Sequence, residues 1–165
     1  MSNLDQKIIT FYLGDIHCGI SLCKVKEIIP HMKSTPVPLA PPYIQGLINL
    51  RGKIITLLDF TKIFDSPYLH LEHSRYHMLL KQKTFLDLGL SPTDRFAFSI
   101  DSIGDVLSYT EDDLESPPAN LGALDQRWMS AVMKRPEGVV AILNVAQIVK
   151  ESLHPAAHHK ESALV

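Results

Sequence analysis

The chain has 165 residues and a formal net charge of -2, from 16 Lys and Arg against 18 Asp and Glu. Hydrophobic residues make up 45% and charged residues 21%, which is typical of a globular protein and excludes a largely disordered chain. The near-balanced charge, without long runs of either sign, disfavours nucleic acid as a partner. No apolar stretch has the roughly 18 residues of a membrane span, and the N-terminus lacks a signal-peptide pattern, so we expect a cytoplasmic protein.

Two cysteines, Cys18 and Cys23, lie in an apolar context. Their spacing matches neither a zinc ribbon nor a C-x-x-C redox motif. Because a free cysteine behaves as a small hydrophobic residue, we expect both thiols to be buried and structural. The cysteines therefore indicate no cofactor.

The start of the chain predicts a β-hairpin. Ile8–Asp15 is rich in β-branched and aromatic residues and ends in a Gly-Asp turn signal before His17–Ser21. Ser21 is a candidate N-cap for a short helical turn over Leu22–Val25, because its hydroxyl can accept from a free amide. The chain is then extended again at Glu27–Ile29.

A proline-rich stretch follows from Pro30 to Pro42. Fixed φ angles and missing amides exclude a regular helix or a central strand there. We interpret the stretch as an ordered connector, and the alternative is a proline-rich ligand for another module.

A second hairpin is predicted around Gly52-Lys53, with Gln45–Arg51 and Ile54–Leu58 as its strands. Glycine tolerates the positive φ that a tight turn requires. Asp59 then suits the N-cap of a short helix over Phe60–Phe64. The resulting unit is strand, turn, strand and helix.

The later part of the chain repeats these signals. Tyr76–Lys81 and Arg95–Ile100 predict strands, and Gln82–Asp94 between them predicts a longer loop. Thr110 with Asp113 forms a capping-box pattern that starts a short turn, and Pro117-Pro118 begins another connector.

Two segment pairs suggest an internal repeat. Gly19–Ile29 resembles Ala97–Leu107, and Ile54–Asp59 resembles Val139–Asn144, in the same order along the chain. Halves of about 75 residues are the size of small SH3-like barrels, and neither half would bury a generous core alone. We therefore expect two similar β-rich halves that pack against each other.

The motifs, taken together, resemble the CheW family. They are Phe11-x-Leu13-Gly14, Gly19-Ile20, Val25-x-Glu27-Ile28, Gly46-x-x-Asn49-Leu50-Arg51-Gly52 and Leu58-Asp59. The resemblance implies a mainly β fold of two pseudo-repeated, five-stranded SH3-like barrels with a few short helices. It predicts an extension at residues 1–7, one domain of two intertwined barrels at 8–153, and a flexible tail at 154–165.

The same resemblance implies a role without catalysis or cofactors. Such a protein is an adaptor that couples methyl-accepting chemoreceptors to the regulatory domain of a CheA-type histidine kinase, and other CheW-like domains are further partners. It works in the cytoplasm, at membrane-associated receptor arrays. The alternatives are a coupling protein of an accessory, non-flagellar chemosensory pathway and a small-molecule-sensing β-barrel module.

The resemblance also marks site residues. Val25, Glu27 and Val106 match positions that line the family's receptor-binding groove, and the family has a functionally sensitive arginine at Arg51. Strand alternation puts Arg51 at a strand end beside Asn49, and we expect both residues to be partner-binding, since the guanidinium suits a partner's carboxylate or backbone carbonyls. The alternative for Arg51 is an internal salt bridge between the halves. We expect backbone or turn roles for Gly46, Gly52 and Asp59.

Histidines are the best argument for a rival, enzymatic interpretation. One group is His70, His73 and His77, and the other is His154, His158 and His159. Zinc needs three or four converging ligands, and these groups lie in an apparent loop and an Ala-rich tail. No G-x-S-x-G, P-loop, G-x-G-x-x-G or H-E-x-x-H motif occurs, so we expect solvated histidines and no metal or catalytic site.

Overall fold

Short β-strands make up most of the fold in the computed structural model, which describes residues 6–66, 69–71, 73–91, 93–121 and 124–153. The strands are β1 (Lys7–Leu13), β2 (Ile16–Ser21), β3 (Val25–Pro30), β4 (Ile44–Leu50), β5 (Lys53–Leu58), β6 (Tyr76–Leu80), β7 (Phe96–Ile100), β8 (Ser102–Ser108), β9 (Leu114–Glu115), β10 (Asn120–Leu121), β11 (Leu124–Asp125), β12 (Met129–Arg135) and β13 (Gly138–Leu143). The α-helices are α1 (Phe60–Ile63) and α2 (Val145–Leu153). Short 3-10 helices span Leu22–Lys24, Gln82–Leu88, Glu111–Asp113 and Gln126–Trp128.

The strands form two main sheets with matching topology. The six-stranded sheet has the order β8-β1-β2-β13-β12-β9, and the five-stranded sheet has the order β3-β6-β7-β5-β4. When β1, β2, β3, β4 and β5 are exchanged in turn for β6, β7, β8, β12 and β13, the order of the five-stranded sheet becomes β8-β1-β2-β13-β12. This is also the order of five neighbouring strands in the six-stranded sheet. The parallel pairs β2–β13 and β5–β7 also correspond. The prediction of a mainly β protein with two pseudo-repeated units is therefore confirmed.

The sheets do not coincide with the sequence halves. The pair β1–β2 from the first half is hydrogen-bonded to β8 and β13 from the second half, and β6–β7 lies between β3 and β5 of the first half. Each sheet thus contains strands from both halves. Among the described strands, neither sheet closes into a hydrogen-bonded barrel, but the two sheets fit the predicted SH3-like subdomains.

The hydrophobic residues form three clusters that follow this architecture. The largest cluster lies between the sheets and contains Phe11, Phe98 and Trp128 with α2 residues such as Ile148. A second cluster contains residues from every strand of the five-stranded sheet: Ile29, Ile48, Ile55, Leu57, Leu79 and Ala97. Since both edge strands contribute to it, this sheet curls around its own small core. A third cluster, around Met133 and Val140, belongs to the six-stranded sheet.

Most predicted elements are confirmed, and two local expectations near Ser21 are wrong. Both hairpins and the capping box at Thr110 are present. Ser21 precedes a 3-10 helix but makes no side-chain cap, because its hydroxyl lies 3.0 Å from the Cys23 thiol instead. Cys18 is buried, and burial raises its thiol pKa, whereas Cys23 is only half-buried.

The segment after β6 is also more regular than the predicted loop from Gln82 to Asp94. Gln82–Leu88 forms a 3-10 helix that ends at Gly89, where φ is 72°. Phe85 is 3% exposed, and its ring contacts the Phe96 ring at 5.4 Å in an edge-on arrangement. Residues three apart share one face of a 3-10 helix, so Phe85 and Leu88 pack together against the core.

The proline-rich connector is ordered and is bound to the five-stranded sheet. Thr35 exchanges two backbone hydrogen bonds of 2.8 Å with Leu47, so the connector covers part of the free edge of β4. Covering an edge strand in this way protects it from pairing with other chains. Gly46 has a φ of 150°, and a Cβ atom there would lie 2.4 Å from the Thr35 carbonyl oxygen.

A buried histidine also fastens the connector. His77 on β6 is fully buried, and its Nε2 accepts a 2.9 Å hydrogen bond from the Met32 amide. Ser99 donates to Gln45, so its oxygen is left to accept from His77 Nδ1 at 3.2 Å. This arrangement requires the neutral ring, and burial lowers the pKa of His77.

Replacing Gly46 by alanine should therefore be far more costly than the same change at Gly52. At Gly46 the new methyl group collides with backbone, and we expect a loss of about 2–4 kcal/mol of unfolding free energy. At Gly52, where φ is 79° and a Cβ would meet open space, we expect about 1 kcal/mol. Urea denaturation of both variants measures the difference, and equal losses would contradict the close approach of the connector.

The neutral state of His77 also predicts a pH dependence of stability. The pKa of His77 is lower in the folded protein than in the unfolded chain, so the neutral ring adds to the free energy of unfolding. This contribution is fully present above the unfolded-state pKa and is lost as the pH falls through the folded-state pKa. Unfolding free energy measured between about pH 7.5 and pH 5 should decrease less in His77→Gln than in the wild type. His70→Gln, at an exposed position, is the control. An identical dependence of unfolding free energy on pH in the wild type and in His77→Gln would contradict the assignment of a neutral His77 ring.

Candidate functional site

The β4–β5 hairpin ends in a two-residue turn made of Arg51 and Gly52. Their φ angles are 52° and 79°, and two consecutive positive values are typical of the type I′ turns that join twisted strands. The alternation pattern predicted Arg51 at a strand end, and the turn geometry corrects that placement. Asn49 stabilises the turn, because its Oδ1 accepts a 3.1 Å hydrogen bond from the Gly52 amide.

The Arg51 side chain forms a bidentate ion pair with Glu27. Nη1 donates to Oε1 at 2.8 Å, and Nη2 donates to Oε2 at 3.2 Å. Glu27 lies on β3, and β3 and β4 are the opposite edges of the five-stranded sheet. The ion pair therefore joins two edges that backbone hydrogen bonds leave apart. Both residues belong to the first half, so Arg51 makes an internal salt bridge within that half.

The ion pair remains accessible to solvent. The side chain of Arg51 is 70% exposed and that of Glu27 is 27% exposed. The hydrogen bonds from Arg51 lower the pKa of Glu27, and Glu27 raises the pKa of Arg51. Exposed pairs of this kind add little stability because water and salt screen them. The pair is better suited to orienting a guanidinium on the surface than to holding the fold together.

Positive charge dominates the surroundings of the ion pair. A depression of about 70 Å³ is lined by four cationic side chains and Glu27 among apolar neighbours. The cations are Lys26, Arg51, Lys53 and Arg95. Since Glu27 offsets one charge, the depression favours an acidic group on whatever binds there.

Val25 and Val106 occupy different environments. Val25 begins β3 and packs, partly buried, against the main core. Val106 is 51% exposed on β8, the edge strand of the other sheet. Two further apolar side chains near that edge, Ile103 and Tyr12, are 41% and 36% exposed. The sequence pattern did not single out Ile103 or Tyr12, because regular alternation is interrupted where the β1–β8 register shifts.

Asp59 lies below the surface at the start of α1. It is 5% exposed, and its Oδ1 accepts hydrogen bonds from the amide and the hydroxyl of Thr61. The structure thus places Asp59 at the N-cap of α1. This position gives the carboxylate a local structural task.

The equivalent hairpin of the second half has different chemistry. Its turn is at Pro136-Glu137, where Arg135 pairs with Glu137 at 3.4 Å. In the repeat, Asp105 corresponds to Glu27, and Pro136 corresponds to Arg51. The bridge between sheet edges therefore has no counterpart at these positions, and the two ends of the pseudo-symmetric scaffold differ.

The expectation of solvated histidines is wrong for one member of the first histidine group. His77 is buried in its hydrogen-bond network, His70 is exposed, and the His73 amide donates to Asp101. No group of three or more metal-ligating side chains is found among the described residues. His154, His158 and His159 lie outside the described residues. No helix in the described part of the chain has the length and apolarity to cross a membrane.

Comparisons with known proteins agree with this architecture. Residues 7–153 match the family model described as CheW-like domain. The chain is 26% identical to "Chemotaxis protein CheW" of Treponema pallidum over 86% of this chain and 81% of that protein. It is 25% identical to the protein of the same name from Bacillus subtilis over 92% of both chains. The fold resembles the crystal structure of the scaffolding protein TtCheW from Thermoanaerobacter tengcongensis, with a TM-score of 0.73, 22% identity and 89% coverage of both chains.

The ion pair predicts the titration of Glu27. Because Arg51 lowers the pKa of the Glu27 carboxyl group, Arg51→Ala should raise it towards the ordinary value of a glutamate. Carbon-detected NMR titration of the side-chain carboxyl measures this directly. Arg95→Ala is the control, since it removes a nearby cation that does not hydrogen-bond to Glu27. An unchanged Glu27 pKa in Arg51→Ala would show that the pair is not formed in solution.

Proposed function

Because the chain belongs to the family of CheW-like domains, we propose that it is a non-enzymatic adaptor that couples methyl-accepting chemoreceptors to the regulatory domain of a CheA-type histidine kinase. The names of its relatives support a role in chemotaxis. The observation that carries the proposal is the exposed Arg51–Glu27 pair in its cationic surroundings. A surface held in a defined geometry is what an adaptor needs.

The hairpin surface is proposed to contact an acidic patch on a partner protein. Glu27 holds the guanidinium of Arg51 in place, and Asn49 holds the turn, so little side-chain freedom is lost on binding. Electrostatic steering by Lys26, Lys53 and Arg95 would then accelerate association with an acidic surface. In this scheme Gly52 serves the turn and Arg51 provides the contact.

A second surface is proposed for the receptor tip, at the exposed edge of the six-stranded sheet. Val106 and Ile103, whose β1 partners Ile9 and Phe11 lie on one face of the sheet, offer apolar area of the kind that anchors a helical hairpin. Val25 lies on the five-stranded sheet and packs against the main core, and its place in such a groove rests on the family resemblance alone. Two separate surfaces allow one adaptor to hold two partners at once, and multivalent contacts of modest affinity then suffice.

The remaining parts of the proposal concern chain organisation and location. We propose that residues 8–153 act as one domain, which agrees with the exchange of strands between its halves. The proposed place of action is the cytoplasm, next to membrane-associated receptor arrays. The predicted extension at residues 1–7 is described only at residues 6 and 7, and the predicted tail at 154–165 lies outside the described residues. A coupling role in an accessory chemosensory pathway is equally compatible with these surfaces.

Substitution of Arg51 tests the hairpin surface. Arg51→Ala should weaken binding to the kinase regulatory domain at least tenfold, a loss typical of an interfacial arginine. The fold should remain intact, because the ion pair is exposed. Isothermal titration calorimetry with candidate kinase regulatory domains, and pull-down with receptor tips, measure the effect. Arg135→Ala, which removes the pair at the other hairpin turn, is the matched control and should bind normally.

Two further measurements separate the proposed roles. Raising the salt concentration should reduce the association rate of the wild type more than that of a Lys53→Gln variant, because Lys53 adds to the steering charge.

Val106→Asp should weaken receptor binding while kinase binding stays unchanged. An Arg51→Ala variant that melts at the wild-type temperature and binds both partners as tightly as the wild type would overturn the proposal.

A further inference from the structure

The depression around the Arg51–Glu27 pair, the hairpin depression, is formed by segments that are distant in sequence. Its lining comes from β3, the β4–β5 hairpin, β6, the first residue of the Gln82–Leu88 helix and the start of β7. Four cations line it against the single carboxylate of Glu27, which leaves an excess of three positive charges. The hairpin depression therefore favours an anion.

A β-bulge contributes one of these cations. In the β3–β6 pair, Val25 lies opposite Leu80, and the next paired residue, Glu27, lies opposite Leu79. Lys26 is therefore the extra residue of the bulge. An extra residue bends the strand and changes the direction of the side chains beside it. Lys26 lines the hairpin depression as a result of this local irregularity.

The corresponding bulge of the second half has different chemistry. Gly104 corresponds to Lys26 there, and the β1–β8 register shifts at the same place. Thr10 Oγ1 accepts a 2.8 Å hydrogen bond from the Asp105 amide and donates to the Asp105 carbonyl at 3.0 Å. The counterpart of Thr10 in the first half is Leu79, which has no polar side-chain atom. The first half thus has a cation and a depression where the second half has an internal polar contact.

The four cations differ in their availability to a ligand. Arg51 is bound to Glu27, and Arg95 donates to a backbone carbonyl of its own segment at 3.0 Å. Lys26 and Lys53 are exposed, and neither makes a hydrogen bond or an ion pair within the described part of the chain. Their two ammonium groups are therefore free to bind an anion.

The size of the hairpin depression suits a small ion. Its volume of about 70 Å³ exceeds what one water molecule needs and is far below the roughly 300 Å³ of the smallest sites for drug-sized ligands. The lining between the charges is mainly apolar, with Leu50, Ile55, Leu79, Leu80 and Phe96. Apolar walls lower the local dielectric constant and strengthen the attraction between a cation and an anion. A compact anion with two charges gains most from such a site.

The larger concave region of the molecule has the opposite balance of charge. This cleft has a volume of about 1200 Å³ and lies between the proline-rich connector, α1 and α2. Its described lining contains three carboxylates and two cations: Asp59, Asp65, Glu151, Lys62 and Arg127. Of the two concave regions, the hairpin depression is therefore the one that attracts an anion.

We propose that the hairpin depression binds a phosphate dianion, either free or as the monoester group of a small molecule, and that the bound ion competes with an acidic partner for Arg51. Lys26 and Lys53 would donate charge-assisted hydrogen bonds to the phosphate oxygens. Arg95 would add attraction from the other side of the lining. The volume admits only the phosphoryl group, so the rest of a monoester would stay in solvent. The competition rests on the proposed function, whereas the binding itself does not.

Three related probes test the binding: inorganic phosphate, methyl phosphate and dimethyl phosphate. At about pH 8 methyl phosphate is a dianion, whereas the diester has a single charge. Amide resonances of Glu27, Gly52 and Lys53 in the isotope-labelled full chain should shift saturably with the first two probes at constant ionic strength. Dimethyl phosphate should bind at least about fivefold more weakly. No saturable shift up to about 50 mM phosphate, or equal affinity for the diester, would overturn the proposal.

Variants locate the bound ion. Lys26→Gln and Lys53→Gln each remove one exposed ammonium group, and each should weaken phosphate binding about fivefold without changing the melting temperature. Lys62→Gln removes the same charge from an exposed residue outside the hairpin depression and should retain full affinity. Equal losses in all three variants would indicate general attraction to lysines and would overturn the site. Full affinity in both Lys26→Gln and Lys53→Gln would overturn it as well.

A competition experiment separates the ion site from the adaptor role. Phosphate at about ten times its dissociation constant should raise the apparent dissociation constant for the kinase regulatory domain about tenfold at constant ionic strength. Simultaneous binding of both without competition would overturn the second part of the proposal. Phosphate binding by a chain that binds no regulatory domain would support the ion site and overturn the adaptor role. Regulatory-domain binding without phosphate binding would overturn the ion site alone.

Discussion

The exchange of strands between the two sequence halves is the constraint on which the rest of the structure depends. The parallel pairs β2–β13 and β5–β7 join segments that are far apart in the chain, and each sheet is completed by the other half. The main core lies between these two sheets and contains residues from both halves. Because both main sheets need strands from both halves, we expect the halves to fold as one cooperative unit. The exchange also brings α1 and α2 together, and the large cleft lies beside them.

Within this pseudo-symmetric scaffold, equivalent positions carry different chemistry. The β4–β5 turn contains an arginine that reaches across to Glu27 on the opposite sheet edge, whereas the β12–β13 turn contains proline and glutamate. The scaffold thus fixes where a hairpin tip lies, and local residues decide what it can bind. A small change of sequence at a turn is enough to alter a surface without disturbing the core. This separation allows the two hairpin tips to differ in chemistry while the scaffold stays the same.

The proline-rich connector links features that are distant in sequence. Met32 is bound to the buried His77, Thr35 pairs with Leu47 on the edge of β4, and Leu39 stands at the cleft. Just beyond the connector, the Tyr43 hydroxyl donates to the Ser152 carbonyl at the end of α2. The segment therefore contacts both the five-stranded sheet and the cleft. The stretch that the sequence predicted to be an ordered connector is thus a structural part of both.

The sequence by itself determined the local elements and their order: the Gly-Asp hairpin, the Asp59 cap, the capping box at Thr110 and the repeat of apolar patterns. These depend on interactions between residues close in the chain, so propensity and spacing reveal them. Only the tertiary structure decided that the halves exchange strands, that Arg51 lies in the turn and pairs with Glu27, and that Gln82–Leu88 is helical. It also brought four cations from separate segments to the hairpin depression and formed the cleft. The physical reason is that these features arise from contacts between distant segments, and no pattern of neighbouring residues encodes which strand will lie beside which.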